Sequence, residues 1–195
     1  MPKIFSDEEK KAHREFLLDN GLRVIMEKGY KHVTVDQLVQ MIGASKGYFY
    51  VLFSSKEDFF LEALAWQMEK NYKRLENAMK SNYSPSQIAS LYRDIFKNRM
   101  HFATYEDAAY VQQKISDAQW KRFQDYQERF FARVLKLLGR DPTICDPKVV
   151  SNLSAVMFLF YNSQAKYFFT EKMQETTDLL LETFHRYIFG EDAKN

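Results

Sequence analysis

The sequence predicts an all-α fold, on two observations. Apolar residues recur at three- and four-residue steps through almost all of its 195 residues, and no run of strict apolar/polar alternation bounded by turn residues interrupts them. Four of the six glycines stand at positions 21, 29, 43 and 47, and none occurs between Gly47 and Gly139. A punctuated head, residues 1–54, is therefore expected before a long helical body, residues 55–195.

The elements follow in order, about nine of them in all. The first helix is expected over Asp7 to Lys28, burying Phe16, Leu17, Leu18, Leu22, Val24, Ile25 and Met26, with Gly29 as its stop. Thr34 and Gln37 make a T-x-x-Q capping box for a short helix whose apolar positions are Val35, Leu38, Val39 and Ile42. Gly43 closes it, because glycine enters the left-handed region at low cost. Ser45 caps a helix from Lys46 to about Leu52, and Ser55 with Asp58 starts another reaching Lys80. Ser84, Pro85 and Gln87 open a helix to about Asn98. A shorter one covers Tyr105 to Gln113, and a long one runs from Asp117 to Leu138 before Gly139. In the long one Trp120, Phe123, Gln127, Phe130, Val134 and Leu137 trace one face. Asp146 and Pro147 start a helix to about Phe169, and a last one spans Gln174 to Phe189.

Composition narrows the class. With 46% hydrophobic and 28% charged residues, a net charge of +2 and a single cysteine, the chain is ordinary globular material without a disulfide framework. Its longest uncharged stretch, Val149 to Ala165, is too short and too polar to span a membrane. The first residues lack the apolar core of a secretory signal, so a cytoplasmic protein is expected. Residues 1–56 hold nine Lys/Arg against seven Asp/Glu, whereas residues 57–195 hold nineteen of each. The whole positive surplus lies in the first 56 residues.

Two short helices around Gly43-Ala44-Ser45 have the dimensions of a helix-turn-helix. In the second, KGYFYVLF, Phe49 and Phe53 share a face by their four-residue spacing. Lys46, Gly47, Tyr48, Tyr50 and Val51 are thereby expected nearer the outside. Such a face suits a phosphate-lined groove. Helix N-termini at Thr34 and Ser45 offer N–H groups to phosphate, Lys46 and Lys56 offer cations, and Tyr48 and Tyr50 offer hydroxyls. Val51 and the backbone at Gly47 suit thymine methyls. The same residues are equally consistent with tyrosines packed on the long helices and solvated lysines, and the pattern alone leaves both readings open.

Beyond pattern, the run from Thr34 to Phe59 resembles the signature of the TetR (tetracycline-repressor) family of transcriptional regulators. The resemblance is carried by Lys28-Gly29-Tyr30, Gly43-Ala44-Ser45-Lys46-Gly47, Tyr50-Val51-Leu52-Phe53 and Ser55-Lys56-Glu57. It covers about residues 10–62 and implies a homodimeric DNA-binding protein, a repressor or an activator, whose C-terminal body binds a small molecule and alters the spacing of two recognition helices. By position, Thr34, Ser45, Lys46, Tyr48, Tyr50 and Lys56 match backbone-contacting residues, and Lys46, Gly47, Tyr50 and Val51 match those meeting base edges. Three departures stand out: Leu38-Val39 replaces the usual Ile-Ala, Leu52 replaces a polar or aromatic residue, and Gly21 replaces an alanine, at about 1 kcal/mol for an exposed helix interior.

The body is rich in rings. Phe102, Tyr105, Tyr110, Trp120, Phe123, Tyr126 and Phe130, with Phe158, Tyr161 and Asn162, suit a pocket for a small apolar or aromatic effector, or else a plain aromatic core. Val149, Leu153, Val156, Phe160 and Tyr167 on one helix, and Leu180, Phe184 and Tyr187 on the next, are expected to form a four-helix contact with a second copy. The expected partners are thus a palindromic duplex operator, a second copy and an effector.

Rival classes leave fewer traces. The histidines at 13, 32, 101 and 185 have no metal-ligand spacing, and no nucleophile or phosphate-loop motif occurs, so neither catalysis nor a cofactor is expected. The alternative is a helical small-molecule-binding or adaptor protein whose head contacts protein instead of DNA.

Overall fold

The computed structural model describes residues 5–84, 87–88, 90–91, 94, 105–161 and 168–189, and every regular element among them is helical. The elements are α1 (Asp7–Lys28), α2 (Val35–Gln40), α3 (Lys46–Leu52), α4 (Lys56–Lys80), α5 (Tyr105–Lys114), α6 (Asp117–Leu137), α7 (Pro147–Tyr161) and α8 (Met173–Phe189). A single 3-10 turn, Thr170–Lys172, precedes α8. The helix expected from Ser84 to Asn98 lies largely outside the described residues, although its Ser84–Gln87 capping box is formed. One expectation is corrected: Phe168 and Phe169 are not helical, so α7 does not run on to Phe169. No helix among the described residues is long and apolar enough to cross a membrane.

Local chemistry sets the boundaries. Ser6 and Glu9 close a capping box at the start of α1, and Thr34 and Gln37 do so at α2, each satisfying N–H groups that have no partner inside the helix. Gly43 takes φ +62°, the left-handed conformation that ends the α2 turn, and its N–H donates to the Gln40 carbonyl.

By compactness the chain divides into two units. One comprises Met1–Glu69 with Met100–Gln119, and the other Lys70–Arg99 with Trp120–Asn195. The first half of α4 and all of α5 belong with the head.

The head unit is built around aromatic contacts. Phe49, Phe53 and Phe59 meet with ring centroids 4.9–5.7 Å apart, all fully or almost fully buried. Each buried ring contributes about 1.5–3 kcal/mol. A seven-residue helix such as α3 has no stability of its own, so this packing is what holds it. Gly21 of α1 is buried, and a methyl group there would lie 2.8 Å from Phe59 Cζ and 3.1 Å from Leu38 Cδ2. It is no exposed-helix liability: the missing side chain makes room for Phe59. Phe16, expected in the buried face of α1, is instead exposed. Across the unit, the Trp66 indole donates to Asp19 at 2.9 Å, and Arg14 pairs with Glu62 and lies over the Phe53 ring.

In the other unit, Phe123, Phe130, Phe131, Val134 and Leu135 of α6 form a buried face, with Val150 and Met157 of α7 and Leu181, Phe184 and Ile188 of α8 also buried. Tyr72 of α4 meets Phe130 edge-on, and Arg133 covers the Tyr72 ring. Cys145 is buried, its thiol against the Tyr187 carbonyl, and burial pushes its pKa up.

Candidate nucleic-acid interface

Helix α3 has two unlike faces. Phe49 is fully buried, whereas Tyr50 is 52% and Val51 65% exposed, and Lys46 and Gly47 are exposed beside them. Lys46 Nζ stands 3.5 Å from Asp36 Oδ2, with both side chains more than half exposed. An ion pair that open holds its partners weakly and leaves the lysine available to another anion.

The first turn of α3 is bare. Ser45 is its N-cap residue in extended conformation, and its side chain makes no cap hydrogen bond. A side chain added at Gly47 would meet nothing nearer than the Ser45 hydroxyl at 4.0 Å. Glycine in a helix costs about 1 kcal/mol relative to alanine. Packing within the chain gives no reason for that cost at Gly47, in contrast to Gly21. What the glycine does provide is an open backbone between Lys46 and Tyr50, over which a flat or bulky ligand can approach closely.

One expected position is corrected. Tyr48 is only 9% exposed. Its ring packs against Phe5 at 4.3 Å, its hydroxyl lies 3.2 Å from His13 Nδ1, and burial pushes the phenol pKa up. The four-residue spacing of Phe49 and Phe53 left Tyr48 outside because Phe5 reaches it from beyond the helices, which periodicity does not register. Lys56 is also occupied: its ammonium donates to the Tyr30 carbonyl and sits 3.9 Å from the Tyr30 ring centroid. Tyr30 in turn is buried and donates its hydroxyl to Glu57 at 2.8 Å. Tyr48 and Lys56 thus brace the head. Thr34 is exposed, with its hydroxyl accepting the Gln37 N–H at 3.2 Å.

The residues expected around an effector are only partly brought together. Trp120, Phe123, Tyr126 and Phe130 follow one another along α6, with successive centroids 6.0–6.2 Å apart. Tyr110 packs in the head unit, 6.4 Å from the Tyr30 ring, with the Lys31 and Lys114 ammonium groups over its own ring. Phe102 and Asn162 lie outside the described residues, as do the side chains of Tyr105, Phe158 and Tyr161. A group that spacing did not single out is Ser154: it is buried in α7 and its hydroxyl has no hydrogen-bond partner among the described residues. An unmet buried hydroxyl is costly, which makes it a natural anchor for a ligand's polar atom.

On α7 and α8, Val149, Val156, Leu179 and Tyr187 are exposed, and Leu153, Phe160 and Leu180 partly so. Phe184 is corrected: it is buried within its own unit, since it shares a face with Leu181 and Ile188. The Tyr187 hydroxyl accepts the Asp146 N–H at 3.1 Å, tying the start of α7 to α8. Tyr167 lies outside the described residues.

Residues 17–63 match a family described as bacterial regulatory proteins, tetR family. Two Bacillus subtilis (strain 168) proteins are similar to parts of the chain. The uncharacterized HTH-type transcriptional regulator YuxN is 28% identical over 94 residues, covering 46% of this chain and 32% of its own. The uncharacterized HTH-type transcriptional regulator YwcC is 38% identical over 56 residues, covering 29% of this chain and 25% of its own. The matched stretch thus spans about a third of one relative's length and a quarter of the other's.

Proposed function

We propose that the chain, whose residues 17–63 match the tetR family of bacterial regulatory proteins, is a helix-turn-helix transcriptional repressor that binds a palindromic DNA operator as a homodimer. The observation that carries this reading is the open face of α3: Lys46, Gly47, Tyr50 and Val51 are exposed together on a helix whose other face is locked by Phe49. Lys46 and Tyr50 then serve phosphates and base edges, Val51 meets thymine methyls, and the bare first turn with Ser45 and Thr34 faces the backbone. Two copies reading successive major grooves place their α3 helices about 34 Å apart.

The homodimer is supported by the apolar side chains that α7 and α8 leave exposed, Val149, Val156 and Leu179 among them. An isologous contact between two such pairs removes them from water. Regulation by a small apolar or aromatic effector is supported by the ring series on α6 and by the unmet Ser154 hydroxyl. The effector acts only through its different affinity for the DNA-bound and free states.

Selection of bound fragments from random duplex DNA tests the reading. Enriched fragments are expected to carry an inverted repeat, and affinity for them is expected to fall by orders of magnitude from low to moderate salt, as counterions are released. A protein that enriches no sequence and whose weak DNA binding ignores salt is not a DNA-binding regulator, and an adaptor reading of the head replaces this one.

A further inference from the structure

One side chain of the head unit uses every hydrogen-bonding capacity it has. Gln119, in the first turn of α6, accepts from the Ser116 N–H at 3.0 Å and from the Ser116 hydroxyl at 2.9 Å through its carbonyl oxygen. Its amide nitrogen donates to Ser55 Oγ at 3.3 Å and to Asp58 Oδ1 at 3.0 Å. Four contacts fill the two lone pairs and two protons of a carboxamide. The orientation of the amide follows, because Asp58 needs a donor and the Ser116 N–H needs an acceptor.

Ser55 and Asp58 are themselves the cap of α4. The Ser55 hydroxyl accepts the Asp58 N–H and donates to Asp58 Oδ2, both at 2.9 Å. With Gln119 as a second donor to the same oxygen, the Ser55 hydroxyl is saturated too. The cap of α4 and the capping box of α6 are thus interlocked through one amide, although their sequences stand about sixty residues apart.

The first turns of α4 are where the head is assembled. Lys56 and Glu57 hold Tyr30 between α1 and α2, and Phe59 meets both Phe49 and Phe53 of the recognition helix and its C-cap. A displacement of this turn is transmitted to α3 by direct ring contact.

We propose that Gln119 is a positioning residue for DNA binding, whose amide fixes the first turn of α4, and through Phe59 the recognition helix, against the first turn of α6. The proposal rests on the DNA-binding reading of α3 and extends it to a residue far from that helix in sequence. The residue type is constrained on both sides. Glutamate preserves the Ser116 capping box, which accepts Glu as readily as Gln, but it has no proton for Ser55 and turns a carboxylate toward that of Asp58.

Gln119→Glu therefore isolates the clasp. The full chain and its variants are compared on a duplex selected by the parent protein, by fluorescence anisotropy at fixed salt. The amides of Lys56–Phe59 are followed by hydrogen exchange in the absence of DNA. Gln119→Glu is expected to bind about tenfold more weakly at pH 7.5, the scale of one hydrogen bond to a charged group. Asp58→Asn combined with Gln119→Glu restores a donor opposite an acceptor and is expected to return affinity to within about threefold of the parent. Gln119→Ala, which opens the clasp without adding charge, serves if the glutamate variant does not fold. Parent-like affinity and exchange in folded Gln119→Glu overturn the proposal, as does a double variant no tighter than Gln119→Glu alone. If the parent itself binds no duplex, it is the DNA reading that falls, and the exchange of the Lys56–Phe59 amides still decides the clasp.

Discussion

The two units differ in what they leave uncovered. Among the described residues of the head, the exposed large apolar ones are Phe16 on α1 and the adjacent pair Tyr50 and Val51 on α3. In the other unit they include Ile144 before α7, Val149 and Val156 on α7, Phe169 after it, and Leu179 and Tyr187 on α8. The head closes its own core around Phe49, Phe53 and Phe59 and presents a small mixed face beside a lysine. The body presents apolar side chains on two successive helices. Single exposed apolar residues mean little, but a clustered set marks a surface that is buried elsewhere. The contrast teaches that the two units expose different chemistry: the head a small face with a cation and a phenol, the other unit aliphatic side chains on successive helices.

The strongest way to break this comparison is to charge the body. Val156→Glu combined with Leu179→Glu places carboxylates on the proposed twofold contact and is expected to convert a dimer to a monomer in sedimentation equilibrium. Operator affinity is then expected to drop at least a hundredfold, because the two heads no longer act together. An unchanged dimer with full affinity places the contact elsewhere.

Within the head, Tyr50 and Tyr48 are two residues apart and face opposite fates. Tyr50→Ala removes an exposed ring and is expected to weaken DNA binding about tenfold or more with little change in melting temperature. Tyr48→Ala empties a buried site against Phe5 and His13 and is expected to cost about 3 kcal/mol of stability, the scale of a truncated core aromatic. If Tyr50→Ala destabilises the fold and Tyr48→Ala does not, the assignment of inner and outer faces is reversed.

Gly21→Ala separates propensity from packing. Alanine gains about 1 kcal/mol in a helix, but forcing a methyl against Phe59 and Leu38 costs about 1–3 kcal/mol. A net loss of roughly 1 kcal/mol is expected in urea unfolding, and a gain shows that Phe59 yields easily.

The smallest effect is a titration in the body. Burial first, and the nearby Arg140 charge second, hold the His185 pKa below its ordinary value of 6.5. Its neutral form is favoured in the fold, so the associated stability is complete above about pH 6.5 and is lost as pH falls and the unfolded chain takes up the proton. The acid-induced fall in melting temperature is expected to be shallower in His185→Gln than in the parent. Parallel curves rule out this linkage.

Much of the secondary structure was legible because its signals are local. Thr34 with Gln37, Ser55 with Asp58 and Gly43 act on neighbours within a turn or two, and α1 runs over the residues expected of it. Tyr50, Val51 and Lys46 were readable as an outer face because Phe49 and Phe53 define the inner one. Tyr48 was misread because Phe5, its partner, lies in another segment. Phe184 was placed outward because the periodic stripe on α8 does not say which of its edges meets α7.

The residues alone thus determined where most of the described helices start, and that two short ones form a turn bearing a basic, aromatic face, since caps, glycines and periodicity depend on near neighbours. Only the tertiary structure decided that Gly21 admits Phe59, that Tyr110 joins the head, and that Gln119 completes the cap of α4. Each of these depends on segments dozens of residues apart arriving at one place. A side chain's role is then set by the shape and hydrogen-bonding capacity of what it meets, which its own neighbours in sequence do not encode.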